Sequence, residues 1–408
     1  MNAVQASETP LPAVVRRAPI YWLAVGAFAV GTEGFMLGGI LPRIAGDLHT
    51  TAAMTGQLVT VFAFTYAISS PILTALSGHF NRRSLLIAAM VIFAVANLGA
   101  AIAPGYGSLV AARVILAMAA GLYVPGANAL AGALVPAEKR GNAIAIVNGG
   151  LTVAIAIGVP LGVVLASTLS WRMTFVFVAL LGALATLGLL VGLDRSTGAH
   201  LPVASLRERF AVMRRPDLLA VLATTTLWAT GAYTVYTYLA VYLEAFAGLH
   251  GQAVGWMLFL WGVSAGVGVM LGGSASDRLG PYRVIVPGLA TGALSFVALS
   301  AIAHGVSTAL AIAPIGVAVV VWGVAHWAFY PAQQVRLMRL AGLKAAPVAL
   351  SLNASFMYLG FSLGALAGSV TLVRFGAANL GYVGAAFVAL ALIATSLLIR
   401  RERHAVPL

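Results

Sequence analysis

One carboxylate is out of keeping with its surroundings. Glu33 lies inside Tyr21 to Pro42, YWLAVGAFAVGTEGFMLGGILP, a run with no other charge. Pro19 to Arg43 is long enough to cross a hydrocarbon core of about 30 Å at about 1.5 Å per residue. Glu33 stands ten residues before Arg43, so it falls roughly 15 Å from the far end, near mid-bilayer. An ionisable group there faces a partner or a watery cavity, because hydrocarbon cannot solvate it. Two chemistries fit: a carboxyl that takes up and releases a proton, or an acid that is paired or neutral and holds helices together. Arg113 is a second charge within an apolar stretch. It lies roughly 10 Å from the nearer end of its span and within a few Å of the Glu33 layer. It can bridge to Glu33 or snorkel to the interface. His326 can relay protons or link two helices by a hydrogen bond. Tyr233, Tyr236, Trp322, Trp327 and Asn353 carry the aromatic faces and polar tips that line a binding cavity, although aromatics near span ends also serve as interface anchors.

Groups at that depth need membrane spans to position them. The chain of 408 residues is 61% hydrophobic and 8% charged, with a mean hydropathy of +1.00. A soluble domain carries roughly a quarter charged residues. Apolar runs between charged or Pro/Gly breaks give twelve spans, at 19–43, 55–77, 84–103, 107–134, 141–166, 172–193, 218–243, 252–275, 283–303, 308–331, 346–372 and 379–399. Each is expected to be helical, since backbone groups in lipid must be satisfied within the segment. The first span ends in Leu-Pro-Arg without a small-residue cleavage site, so it should remain as an anchor.

Charge sets the expected orientation. Of 23 Lys and Arg residues, nineteen fall on the amino-terminal side, three (Arg43, Arg172, Arg374) on the other, and Arg113 lies within a span. That bias puts both termini in the cytoplasm. The net charge of +13 sits in short loops and forms no continuous basic face, which argues against a nucleic-acid partner. There is no cysteine, so thiol chemistry and disulfides are excluded. No catalytic triad, phosphate-cradling loop or metal cluster is legible, and an enzyme is disfavoured.

The expected organisation is all-α and integral to the membrane, with twelve transmembrane helices in two six-helix halves. A tail at 1–18 precedes a bundle at 19–193. A linker at 194–217 holds a short basic amphipathic helix from Ser205 to Arg215, on the cytoplasmic face. A second bundle at 218–400 and a tail at 401–408 complete the chain. The halves echo each other: LSGHFNRRSLL after the second span recurs as SASDRLGPYRVIV after the eighth, with Gly78 and Asp277 offset by 199 residues. Paired halves are the construction of many secondary transporters, whose substrate site lies at the half-to-half interface near the midplane.

Several motifs carry a family likeness. Gly273-Ser-Ala-Ser-Asp277-Arg278-Leu-Gly280-Pro-Tyr-Arg283 resembles the loop signature of the major facilitator superfamily. An acid at such a helix end can cap a neighbouring helix and pair with Arg, latching the two. In the first-half copy Gly78, His79 and Asn81 replace the acid, the Arg and the Gly, while Phe80, Arg82 and Arg83 survive. The latch is therefore expected from the second half. Arg113 with Gly121 eight positions on looks like the superfamily's fourth-helix motif, linked to proton transfer. Gly158, Pro160 and Gly162 resemble the antiporter signature of drug/proton exchangers, in the order Gly-x-Pro-x-Gly rather than the commoner Gly-Pro-x-x-Gly. Pro160 removes one backbone bond and the glycines make a close-packing face, which generic helix packing would also use. Trp171-Arg172-Met-Thr-Phe175 opens the sixth span as in these exporters. The first, seventh, tenth and eleventh spans are similar to the sugar-, purine- and chloramphenicol-efflux branch.

The likeness implies proton-coupled efflux of a small neutral or amphiphilic molecule, such as a drug, sugar or nucleoside, across a bacterial inner membrane. Glu33 and Arg113 would couple the proton. The partners would be the substrate, protons and the bilayer, with no cofactor beyond the proton gradient, and the chain would act as a monomer. A proton-coupled importer or a facilitator of the same fold is the nearest alternative. A non-transporting receptor would call for a large soluble domain, and the longest expected loop is only 194–217.

Overall fold

The structure is a computed structural model that describes residues 18–136, 139–194, 197 and 205–405, without the side chains of 343, 344 and 401–405. Residues 1–17 of the tail expected at 1–18, residues 406–408 of the tail expected at 401–408, and 195–204 of the linker apart from Thr197 lie outside the described residues. Among those described, twelve helices are long and apolar enough to cross a membrane. The first half comprises α1 Ala18–Asp47, α2 Ala52–Leu76, α3 Arg82–Ala101, α4 Tyr106–Ala133, α5 Arg140–Thr168 and α6 Trp171–Gly192. The linker contributes α7, Leu206–Met213. In the second half are α8 Pro216–Tyr236, α9 Leu239–Ala247, α10 Gln252–Leu279, α11 Tyr282–Gly305, α12 Thr308–Gly342, α13 Ala345–Arg374 and α14 Leu380–Ala405.

Helix ends follow local chemistry. Thr51 caps α2 by accepting from the Met54 N–H at 3.1 Å, and Asn81 caps α3 through the Ser84 N–H at 3.3 Å. At α7 Ser205 and Glu208 form a reciprocal capping box. The Ser205 N–H and hydroxyl hold the Glu208 carboxyl below the ordinary carboxylate range, so the cap is intact at neutral pH and is lost as pH falls through that lowered value. Gly342, at φ +74°, makes the hairpin between α12 and α13, in backbone space that L side chains rarely adopt.

Three elements differ from the sequence expectation. The span expected at 218–243 is broken after Tyr236 and resumes as α9. No Pro or Gly marks the break; Tyr236 and Tyr238 instead donate to Phe35 O at 3.0 Å and Ala365 O at 2.9 Å. Pro331 does not end α12, which runs on to Gly342 because Gln333 and Arg336 are buried against other helices. Within α5 the turn Ala154–Gly158 is a π turn. Pro160 explains it: the ring lacks an N–H and crowds the carbonyl four residues earlier, so the turn widens.

Each half packs within itself, α1 against α5 and α6, α8 against α13 and α14. The main seams between halves are α2 with α13 and α5 with α10. Among the described residues three hydrogen bonds cross between the halves: Ser369 Oγ to Ala53 O at 3.1 Å, Ser362 Oγ to Thr60 O at 3.1 Å, and Tyr236 OH to Phe35 O. Every donor is a second-half side chain and every acceptor a first-half backbone carbonyl. They run from mid-bundle toward the face opposite the Arg-rich loops. The linker helix docks on protein, with Val212 in a cluster containing Leu337, Val348 and Leu352. Arg209 Nη1 donates to Ser351 Oγ at 2.9 Å, and Arg215 Nη2 donates to Leu340 O at 2.8 Å near the end of α12.

Candidate functional site

Glu33 occupies the middle of the 30-residue helix α1, and Arg113 reaches it from α4. Both side chains are 0% exposed, and Arg113 Nη1 donates to Glu33 Oε1. Arg113 does not snorkel. Its Nε donates to Leu58 O on α2 at 3.3 Å, and its guanidinium lies 4.2 Å from the centre of the Phe62 ring. Three helices therefore meet on one ion pair, and the aromatic face adds attraction for the cation. The pair is not saturated. Glu33 Oε2 and Arg113 Nη2 are buried with no hydrogen-bond partner among the described residues, leaving one acceptor and one donor open for chemistry.

The helix-five motif lies beside this pair. A Cβ at Gly158 would come 2.1 Å from Thr32 Oγ1, one residue before Glu33, and one at Gly162 would come 3.3 Å from Met36 Cβ. On its other side the π turn faces α10, where a Cβ at Gly262 would meet Ile155 O at 2.5 Å and Ala156 Cα at 2.7 Å. Backbone cannot give way as a flexible side chain can. Gly262→Ala should therefore hold this seam apart. The absence of native cysteine makes that measurable: a Cys placed at Val163 of α5, which packs 3.5 Å from where a Cβ at Gly255 on α10 would stand, should react with a maleimide several-fold faster in the Gly262→Ala background. An unchanged rate would show that the seam closes regardless.

Tyr233, Tyr236, Trp322, His326 and Trp327 come together, as one connected set of rings. Tyr236 lies 4.5 Å from Trp261, which is 5.3 Å from Trp322, and Tyr233 stacks on Phe361 at 3.6 Å. His326 stacks on Trp228 at 4.0 Å; among the described residues it makes no hydrogen bond between helices. Trp228, Trp261, Phe361 and the first-half Phe35 were not legible as site residues, because an aromatic in an apolar span reads the same whether it faces lipid or protein. Asn353 meets the set at its edge, through a side-chain hydrogen bond with Tyr330, whose ring stacks on Trp228 at 6.0 Å. It accepts from Thr225 Oγ1 at 2.8 Å, next to Gln333, whose Nε2 donates to Thr224 Oγ1 at 2.9 Å and Val221 O at 3.0 Å. That network ties α8, α12 and α13 together. Glu244 is half-buried on α9 at the face away from the Arg-rich loops. Partial burial pushes its carboxyl up, opposed by His250 and Arg43.

The loop motif is not latched. Gly273 and Gly280 are half-buried, and the φ of +85° at Gly280 turns the chain out of α10. Asp277, Arg278 and Arg283 are exposed, and Asp277 has no ion pair or hydrogen bond among the described residues. The reason is geometric: the halves are joined at the other face, so no helix of the first half offers Asp277 a partner. Of the first-half copy, Arg82 is buried. Arg83 caps α6, donating from Nε to Leu193 O at 2.8 Å and from Nη2 to Leu190 O at 3.0 Å. Arg172 pairs with Asp47, which also accepts from Trp171 Nε1 at 3.0 Å; the motif opening α6 thus staples α6 to α1. A latch that forms only when the Arg-rich ends approach predicts that Asp277→Asn lowers transport several-fold more than Gly78→Ala. Equal, small effects in a flux assay would show that the loop carries no latch.

Comparison with known proteins adds an independent line. A family model described as Major Facilitator Superfamily matches residues 23–365 and 248–407. The MFS-type transporter YbcL of Bacillus subtilis is 34% identical, over 94% of this chain and 96% of that one. The inner membrane transport protein YdhP of Escherichia coli K12 is 33% identical, over 95% and 97%. A chloramphenicol resistance protein of Streptomyces lividans is 36% identical over 64% of this chain and 67% of its own length. Among solved structures, a bacterial homolog of the human lysosomal transporter Spinster, inward-facing and occupied, superposes with a TM-score of 0.77 at 18% identity, covering 93% of this chain and 96% of that one. The nucleoside transporter NupG gives 0.73 at 13% identity, covering 93% and 99%.

Proposed function

The chain belongs to the Major Facilitator Superfamily, and from that premise we propose that it exports a small neutral or amphiphilic molecule in exchange for protons. It is a multi-pass transporter of the bacterial inner membrane. The observation that carries the proposal is the unsaturated ion pair at mid-membrane. Glu33 is held by Arg113 through one oxygen while the other has no partner. A carboxyl in that position can be charged and paired in one conformer and protonated in another, which exchange against protons requires. Efflux is supported by the likeness to a chloramphenicol resistance protein and by the helix-five glycines against α1. We place the Arg-rich loops and both termini in the cytoplasm, following the charge bias. The protein would act as a monomer.

Everted membrane vesicles test the reading. With the interior acidified, labelled chloramphenicol should accumulate, beside a sugar and a nucleoside, and dissipating the gradient should release it. Uptake into right-side-out vesicles driven by external acid would mean an importer, and downhill flux alone would mean a facilitator. The orientation has its own check. A reporter active only in the cytoplasm should work when fused after Arg403 and fail in the 244–251 loop; the reverse would overturn the topology.

A further inference from the structure

Phe35 lies two residues beyond Glu33, and its ring leaves the first half to enter aromatics of the second. Four rings stand round it at nearly one distance: Tyr233 at 6.3 Å, and Tyr236, Trp327 and Phe361 at 6.2 Å each. All four are edge-on or tilted to it, the arrangement that aromatic pairs prefer. The walls belong to one half and the ring to the other. Separating the halves would draw Phe35 out of the slot and leave its four walls together.

The walls continue into unusual chemistry. Among the described residues, the indole N–H groups of Trp228, Trp261, Trp322 and Trp327 are all buried without an acceptor. An indole can only donate, and a buried one normally finds a partner. Phenylalanine would fill such positions with no donor left over, so packing alone does not explain four tryptophans. Of the ionisable groups in this layer, Glu33 and Arg113 hold each other and His326 lies flat on Trp228. The slot is therefore walled by rings, one of which, Trp327, carries a spare donor, with further donors behind the walls on Trp228, Trp261 and Trp322, and the carboxylate of this layer is held by Arg113.

We propose that the slot round Phe35 is a binding site for a flat, uncharged aromatic ring bearing hydrogen-bond acceptor oxygens, and that Phe35 is its occupant in this conformer. The site rests on the transport reading for why the halves separate, but not on proton coupling or direction.

The test uses the purified full-length protein, labelled with 15N-tryptophan, in detergent without any gradient. Three probes of one size separate the chemistry: coumarin, which carries acceptor oxygens; naphthalene, which carries none; and N-methylquinolinium, a cation. Coumarin should move the indole N–H resonances of Trp327 and its neighbours, assigned by Trp→Phe variants. It should bind at least about fivefold tighter than naphthalene, the size of one net hydrogen bond, and the cation should bind weakest. Phe35→Ala should raise coumarin affinity several-fold by vacating the slot. Trp327→Phe should remove the preference for coumarin and keep naphthalene binding, with Trp261→Phe as the second variant if the first does not fold. Equal binding of coumarin and naphthalene, or no gain with Phe35→Ala, would overturn the proposal. Because binding is read at equilibrium, a failed pH-driven flux assay leaves this result standing, and a failed binding assay leaves the flux result standing.

Discussion

Glu33→Gln should abolish uphill transport driven by a pH gradient while sparing downhill exchange of the same substrate. The amide copies the shape and hydrogen-bonding capacity of the protonated carboxyl, so the variant is fixed in the proton-loaded form. A carrier fixed in one protonation state can still bind substrate and change conformation. It cannot draw on the gradient. Loss of accumulation should exceed tenfold, with half-saturation for exchange changed little. Glu33→Asp should be partly active, because the carboxylate is drawn back by one methylene from Arg113. Near wild-type accumulation by Glu33→Gln would remove Glu33 from the coupling step. Coupling would then pass to Glu244 or His326, or protons would not be coupled at all.

Arg113→Leu should be more damaging still, for a different reason. Removing one member of a buried pair leaves the other charge without a counter-ion, a change that typically costs about 3–5 kcal/mol. Arg113 also donates to Leu58 O and lies on Phe62, so its loss uncouples three helices. The yield of folded protein should fall steeply. Arg113→Lys should not restore it fully, since an ammonium cannot reach Glu33 and Leu58 O with a planar fork. The double variant Glu33→Gln with Arg113→Leu should recover much of the yield, because no unpaired charge remains, yet stay inactive in driven transport. Thermal unfolding of the four proteins measures the coupling. If the double variant is no more stable than Arg113→Leu alone, the ion pair is not what Arg113 contributes.

Depth arithmetic found this pair because helix rise converts residue number into height, and charge at mid-height has few places to go. The helices themselves were legible for the same reason: lipid demands long apolar runs, and twelve stand in the sequence. Azimuth was not legible. Nearly every position of these spans is apolar, so the period that separates core from surface in soluble helices is absent. That is why Phe35, Trp228 and Trp261 are not legible as site residues from the sequence. The break after Tyr236 was hidden because tyrosine hydroxyls accompany it and no breaker residue marks it. The Asp277 signature is legible as a motif, but whether a latch is engaged depends on conformation, which no sequence states.

The three hydrogen bonds across the seam are one-sided, with every donor from the second half and every acceptor a main-chain carbonyl of the first. A helical carbonyl already serves its own helix and lends its second lone pair, so parting the halves leaves only two serines and a tyrosine to find water. Any residue at 35, 53 or 60 of the first half presents the same carbonyl. Substitutions there can accumulate without weakening these bonds, whereas a single change at Ser362, Ser369 or Tyr236 resets the balance between open and closed. The hydrogen-bonded part of closure is thus inherited through one half of the molecule, and a lineage can retune it there while the half carrying Glu33 and Arg113 is left untouched.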